Sequence, residues 1–290
     1  MAKKPSNMRI AFQGVPGAYS HLACTRVYPQ MEVLPCQTFE NMFESVKSGK
    51  AKYAMTPIEN SVAGRVADIH RLLPESGLFI VGEYFMRVNH HLLAPPSATV
   101  RSIKVVRSHV HALSQCGKII DKLKLKPVVH ADTAGAAMEL AKNGDKSEAV
   151  IASELSGKIY GLKSLRRNIE DSNHNTTRFV IMAREASRKK RGTVPLVTSF
   201  VFRVRNVPAA LYKAMGGFAT NGVNMTKLES YMIAGSFNAT QFYSDVDGHP
   251  KDPGLRLALE ELAFFSHEIR ILGTYEAHPF RQGKGADEPK

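Results

Sequence analysis

The chain has 290 residues, 43% of them apolar and 22% charged, with a net charge of +13, a composition that excludes a largely disordered protein. The absence of any run of about 18 apolar residues, and of an apolar stretch after the basic start, excludes a transmembrane helix and a secretory signal and predicts a cytoplasmic protein. Cys24, Cys36 and Cys116 are odd in number and widely spaced, so they predict neither a disulfide framework nor a metal site.

In chain order, 8–13 reads as a strand, Gly14-Val-Pro-Gly-Ala-Tyr-Ser20 as a turn leading into a helix, and 39–48 as a helix stopped by Gly49. A strand over 53–58, a helix over 66–73 and a strand pair or one long strand over 78–88 complete a first set. A second set follows, with strands at 103–107, 127–130, 149–152 and 178–182 and helices at 110–123, 133–142 and 154–160. Such alternation predicts two α/β lobes with largely parallel sheets and a crevice at the strands' carboxyl ends. The basic stretch 184–191 reads as a linker. The other basic stretch, 101–126, reads as a solvated face, because neither contains the aromatics that nucleic-acid surfaces interleave with their cations. No nucleic-acid or membrane partner is expected.

Beyond the linker the grammar changes. Strands at 198–205, 225–233, 237–245 and 269–275 and helices at 208–220 and 254–266 give βαββαβ, the ferredoxin-like order. Pro208 is expected near the first helical position. The domains are thus 8–184, 195–276 and a polar, disordered tail over 277–290.

Several segments carry candidate chemistry. Backbone N–H groups and the Ser20 hydroxyl after the two-glycine turn suit a carboxylate or phosphate, although an ordinary strand-to-helix turn looks the same. Glu59, Asn60 and Ser61 project polar groups after a Pro57 turn; Asn60 or Ser61 also reads as a helix N-cap. Ser108 suits an N-cap with Gln115 two turns on. His109 and His111 do not share a helix face, and Cys116 reads as a buried structural thiol. Asp132-Thr133-Ala-Gly-Ala-Ala137 begins a helix with small residues. In Thr177-Arg178-Phe179 a hydroxyl lies beside a guanidinium that suits bidentate carboxylate contact; taken alone, Arg178 is equally a surface ion-pair member.

Taken together and in this order, Gly14–Ser20, Pro57-Ile-Glu-Asn-Ser61, Ser108–Cys116, Asp132–Ala137 and Thr177-Arg-Phe179 resemble the prephenate dehydratase family. Pro208-Ala-Ala-Leu211 and Gly222-Val-Asn-Met-Thr-Lys-Leu-Glu-Ser230 resemble its ACT regulatory domain. The resemblance implies a periplasmic-binding-protein-like two-lobed catalytic domain plus an α+β ferredoxin-like ACT domain. It implies conversion of prephenate to phenylpyruvate, carbon dioxide and water without cofactor or metal, in phenylalanine synthesis. Thr177 matches the family's essential threonine. Ser20, Asn60, Ser61, Ser108, Gln115, Thr133, Arg178 and Phe179 are the implied substrate contacts, and Glu59 is a candidate proton source. L-phenylalanine is the expected effector, at Ala209, Ala210, Leu211, Asn224, Met225, Thr226, Glu229 and Ser230. The family's Gly-Ala-Leu stands here as Ala209-Ala210-Leu211, and its Glu-Ser-Arg-Pro as Glu229-Ser230-Tyr231-Met232. A homodimer or homotetramer is expected. Arogenate dehydratase, differing by one substrate amino group, and a non-catalytic two-lobed binding protein are the alternative readings.

Overall fold

The computed structural model describes residues 8–187, 191–192, 194–205, 207–232 and 241–283. They fall into two compact units: described residues of 8–65 and 85–179 in the first, and of 66–84 and 180–283 in the second. The elements run β1 (Arg9–Gln13), α1 (Tyr19–Val27), β2 (Glu32–Cys36), α2 (Phe39–Lys47), β3 (Tyr53–Asn60), β4 (Gly64–Arg65), α3 (Ala67–Leu72), β5 (Phe79–Arg87), β6 (His91–Ala94), β7 (Val105–Ser108), α4 (Val110–Ser114), α5 (Gly117–Lys122), β8 (Lys126–Val129), α6 (Thr133–Asn143), β9 (Glu148–Ala152), α7 (Glu154–Tyr160), β10 (Lys163–Arg166) and β11 (Thr176–Ala183). After the linker come β12 (Leu196–Val204), α8 (Ala210–Thr220), β13 (Met225–Tyr231), β14 (Gln241–Asp247), α9 (Pro253–Phe265), β15 (Ser266–Glu276) and a 3₁₀ turn over Pro279–Gln282.

Two sheets build the two lobes. The first has strand order β2-β1-β3-β11-β5, with β4 paired to β3; β5 and β11 continue from one unit into the other. The second has order β10-β6-β9-β7-β8. In the first, β1 runs parallel to β2 and β3; in the second, β7 is parallel to β8 and β9 while β6 is antiparallel to β9 and β10. The second sheet is therefore mixed, not largely parallel as the alternation suggested, because the chain enters and leaves it through β6 and β10. Neither short strand was expected from the sequence. This sheet is buried on both faces. Leu92 and Ile151 belong to one apolar cluster, and their neighbours Leu93 and Val150 to the other, as successive strand residues alternate.

Local differences from the sequence reading have plain causes. The predicted helix 110–123 breaks into α4 and α5 around Gln115 and Cys116. Strand β3 continues through Pro57 to Asn60, so Glu59 and Asn60 sit on a strand end, not in a turn, and neither Asn60 nor Ser61 caps a helix: Val66 precedes α3. Pro208 lies ahead of α8, whose N-cap is Ala209 in the left-handed region at φ 60°. A glycine would adopt that backbone without strain.

The second unit contains the four-stranded sheet β13-β14-β12-β15, the ferredoxin-like order. Phe200, Phe202 and Val204 on one face of β12 pack on Ala214 and Phe218 of α8 and Leu255 and Leu262 of α9. The opposite face holds a buried polar cluster among apolar side chains such as Val197 and Val201. Asp245 Oδ1 accepts from the Ser199 hydroxyl (2.5 Å) and the Tyr243 hydroxyl (2.8 Å), and the Ser199 and Tyr275 hydroxyls lie 2.6 Å apart. Residues 66–84 belong here. Gly273 of β15 passes so near Ile80 that a Cβ would stand 2.0 Å from the Ile80 carbonyl oxygen.

The predicted tail is in part ordered, which corrects the reading of 277–290 as disordered; 284–290 lie outside the described residues. His278 is buried, and Arg281 donates from Nε and Nη2 to Glu83 (2.6 and 3.0 Å), from Nη2 to Asp245 Oδ2 (3.3 Å) and from Nη1 to Thr226 Oγ1 (3.0 Å). The Glu83 and Asp245 carboxylates are fully buried. Removing one partner of a buried ion pair leaves uncompensated charge. Arg281→Met is therefore expected to lose about 3–5 kcal/mol in urea unfolding. Unchanged stability would contradict this account of the tail.

Candidate functional site

Strands β3 and β11 meet at their ends through Ser61. Its N–H donates to Thr176 O (2.9 Å), its Oγ accepts from Thr176 N (2.9 Å), and its hydroxyl donates to His174 O (2.5 Å). Ser61 thus fixes the start of β11 beside β3. This stitching places Asn60 against Asn175 and Thr177. Asn60 Nδ2 donates to Asn175 Oδ1 (2.8 Å) and to Thr177 Oγ1 (2.9 Å), with a longer contact to Thr176 O (3.3 Å). Asn60 Oδ1 accepts the backbone N–H groups of Val62 (3.0 Å) and Ala63 (2.8 Å), which fixes which end of the amide is which.

From Asn175 the network crosses to the second lobe. Asn175 Nδ2 donates to Gln115 Oε1 (2.8 Å) at the end of α4. His90 Nε2 lies 2.9 Å from the same oxygen, and His90 Nδ1 lies 2.7 Å from the Tyr19 hydroxyl of α1. The Tyr19 hydroxyl is also 3.0 Å from Asn89 O. Asn175 and His90 are buried, whereas Thr177, Asn60 and Gln115 are half-exposed. The site is therefore a row of neutral groups at the junction of the two lobes, with its outer members open to a ligand. Burial lowers the His90 pKa, partly opposed by the Gln115 hydrogen bond, and burial raises that of Tyr19 well above the ordinary phenol value. His90 is neutral at pH 7, and Tyr19 keeps its proton.

Behind this row, Arg178 Nη1 donates to Glu59 Oε1 (3.0 Å), with the guanidinium 5.8 Å from the Phe85 ring centre. Arg178 is 3% exposed. Its charge meets a carboxylate of the protein, and Glu59 is engaged as the anion of that pair.

The remaining sequence candidates lie as follows. Ser108 ends β7, fully buried, and its hydroxyl donates to Ile151 O (2.6 Å); the N-cap of α4 is His109, not Ser108. Phe179 is buried in the core at 1% exposure. Ser20 and Thr133 are half-buried in the first turns of α1 and α6; among the described residues no hydrogen bond links them to the row.

In the glycine turn, three N–H groups are used inside the protein. Gly14 N donates to Cys36 O, Ala18 N to Val15 O and Gly17 N to His21 Nδ1 (3.0 Å). The Gly17 carbonyl accepts the hydroxyls of Ser153 (2.6 Å) and Ser156 (2.9 Å), and Tyr160 donates to Pro16 O (2.8 Å). The turn is thus a latch between lobes. Gly17 is required there, since its φ is +95° and a Cβ would lie 2.6 Å from Ser156 Oγ.

Burial raises the Cys116 thiol far above its usual range, against a nucleophilic role. Among the described residues no group of three or more His, Cys, Asp or Glu side chains could hold a metal. Sequence reasoning missed Asn175, His90 and Tyr19 as network members. Tyr19 lies within the Gly14–Ser20 segment singled out above and Asn175 two residues ahead of Thr177, whereas His90 carries no local signal. Of the ACT-like candidates, Asn224 donates to Asp247 (2.8 Å), Thr226 accepts from Arg281, Glu229 pairs with Lys227 (3.1 Å) and Ala210 is buried. Leu211 and Met225 are partly buried against the core of the second unit, and Ser230 lies on β13.

Burial lowers the pKa of His21, His90, His91 and His109. Below about pH 6.5 the unfolded chain then binds more protons than the folded one, so stability falls on acidification. Urea midpoints are expected to drop between about pH 7.5 and about pH 5.5; a flat series would show that these rings do not titrate below their ordinary range.

A family model described as prephenate dehydratase matches residues 10–187. The chain is 53% identical over 273 residues to a "Bifunctional N-acyl-homoserine lactone acylase/prephenate dehydratase" of Komagataeibacter europaeus, covering 94% of this chain and 97% of that protein. It is 38% identical over 284 residues to "Arogenate dehydratase/prephenate dehydratase 1, chloroplastic" of Arabidopsis thaliana, covering 93% and 72%. The structure of a prephenate dehydratase from Arthrobacter aurescens in complex with L-Phe is similar at a TM-score of 0.85 and 30% identity, covering 93% and 90%.

Proposed function

This chain belongs to the prephenate dehydratase family, and we propose that its own reaction is the decarboxylating dehydration of prephenate to phenylpyruvate, with Thr177 as the hydrogen-bond donor to the departing hydroxyl. One observation carries the role. Asn60 Oδ1 is occupied by two backbone N–H groups, so Asn60 meets Thr177 Oγ1 as a donor. The threonine oxygen accepts, and its own proton is left for a ligand.

The chemistry matches such a site. In prephenate the bond from ring to carboxylate breaks, and its electron pair enters the ring. The bond from ring to hydroxyl breaks on the opposite side, and the oxygen leaves as water after gaining one proton. The ring becomes aromatic, which supplies the driving force. The protein must hold a dianion and stabilise oxygen charge as it develops. A preorganised donor does so without reorganising. Thr177 holds its hydrogen against the leaving oxygen; a threonine is too weak an acid to surrender it outright. The chain's net charge of +13 favours the approach of a dianion.

Thr177→Ala is expected to lower turnover by about 10²–10³-fold, the range for removing one such donor, without changing the unfolding midpoint. Phenylpyruvate absorbance in alkali is the readout. A folded Thr177→Ala protein with native turnover would overturn the role of Thr177. A native protein inert on prephenate but active on arogenate would transfer the proposal to that substrate.

L-phenylalanine is the proposed effector, in the ferredoxin-like part of the second unit as an ACT domain. The family complex with L-Phe and the segments Pro208–Leu211 and Gly222–Ser230 support this reading. Ala209 at positive φ, with Tyr231 and Met232 beyond, alters its expected site. Calorimetric titration is expected to detect phenylalanine binding, and a null titration would remove it.

The 53% identity with a protein named also as an N-acyl-homoserine lactone acylase supports a second reading, amide hydrolysis of that substrate class. Release of homoserine lactone by the native protein would support it. Persistence of that release in Thr177→Ala would place it away from the dehydratase donor.

A further inference from the structure

The hydrogen bonds at the lobe junction fix proton positions well beyond Thr177. Asn60 is the anchor, because Val62 and Ala63 N–H hold its oxygen and turn its Nδ2 toward Asn175. Asn175 therefore presents Oδ1 to Asn60 and Nδ2 to Gln115. Gln115 must answer with Oε1. That oxygen lies 2.9 Å from His90 Nε2, so the proton of the neutral ring is on Nε2 and Nδ1 is bare. The Tyr19 hydroxyl lies 2.7 Å from Nδ1 and 3.0 Å from Asn89 O, and its one proton goes to the nearer acceptor, the bare Nδ1. Reversing the order makes every amide turn over and ends with two NH2 groups facing each other at Asn60. Only this order gives every amide donor of the row an acceptor.

This arrangement has a consequence for Gln115. Its carbonyl takes two donors, from His90 and Asn175, while both protons of its Nε2 remain for a ligand. A half-exposed amide that shows its NH2 group attracts carboxylate oxygens, whereas a rotated one would show them a carbonyl and repel them. We propose that His90 is a positioning residue of the dehydratase: its Nε2–H, kept in that tautomer by the Tyr19 hydroxyl, locks Gln115 with its NH2 group toward the substrate oxygens. This rests on the dehydratase reading above. His90 acts through Gln115, and Tyr19 acts through His90.

The test has an arm that needs no activity. In the native protein with ¹⁵N-labelled histidine, the His90 ring is expected as the neutral tautomer protonated on Nε2, and Tyr19→Phe is expected to shift that population. A ring protonated on Nδ1 alone overturns the proposal.

The kinetic arm is a double-mutant cycle on prephenate. His90→Phe is expected to lower kcat/KM by about 30-fold in the native background and by less than about threefold when Gln115 is already Ala, since residues acting as a unit are non-additive. His90→Gln, which returns a donor near Nε2, is expected to recover most of the loss. Equal losses in both backgrounds, or no recovery with Gln, would mean that His90 acts by some other route. A native protein inert on both prephenate and arogenate would overturn the dehydratase reading and, with it, the role in catalysis. The ring spectrum would still decide the hydrogen-bond order.

Discussion

The amide of Asn60 is held at its oxygen by the N–H groups of Val62 and Ala63 as the chain leaves β3, and the row Asn175, Gln115 and His90 takes its orientation from that anchor. An amide is two-faced. It donates at one end and accepts at the other, so pinning one end of a chain of amides orders the rest. Neutral groups also suit the position, since desolvating an amide that keeps its partners costs far less than desolvating a charge. On the proposed reading, a dianionic substrate brings its own charge to such a site and needs from the protein donors in fixed places, the roles proposed for Thr177 and Gln115.

Charge is used differently in this molecule. Where the described chain buries a charged side chain, the partner is close. Arg178 meets Glu59 in the first unit, and Arg281 meets Glu83 and Asp245 in the second. These pairs fix strands rather than present charge to solvent. Glu83 lies on β5 and Asp245 on β14, so one side chain from beyond β15 joins two strands. The excess of cations implied by the net charge of +13 lies largely outside such pairs. There it shapes the long-range field and adds little to stability.

Local pattern made much of this legible from sequence. The strands and helices with clear periodicity, the two-lobed plan and the βαββαβ order all followed from short-range signals. What local pattern missed was short or assembled over distance. Strand β2, Glu-Val-Leu-Pro-Cys, contains a proline and alternates weakly; β6 and β10 have four residues each. The site has the same character. Asn60 and Asn175 are 115 positions apart, and Asn175 and Gln115 are 60 apart. A hydrogen bond between such residues exists only once two sheets have formed, so His90, with an ordinary neighbourhood in the chain, could not announce itself.

The run Thr177-Arg178-Phe179 shows how a motif can be recognised before its roles are known. Strand residues alternate between faces. Asn175 and Thr177, two apart, both receive the amide of Asn60, while Arg178, the residue after Thr177, turns to the other face and meets Glu59, the residue before Asn60 on β3. The two strands are thus joined twice, by amide and hydroxyl on one face and by an ion pair on the other. Sequence alone suggested that Arg178 would grip a substrate carboxylate. Its 3% exposure and its carboxylate partner within the protein instead make it the support of the strand that carries Thr177. Loss of Arg178 would leave Glu59 without that partner and loosen the strand at the point where Thr177 is aimed. The threonine and the arginine then belong together for a mechanical reason: in the proposed reaction one presents the proton, and the other holds the backbone that positions it.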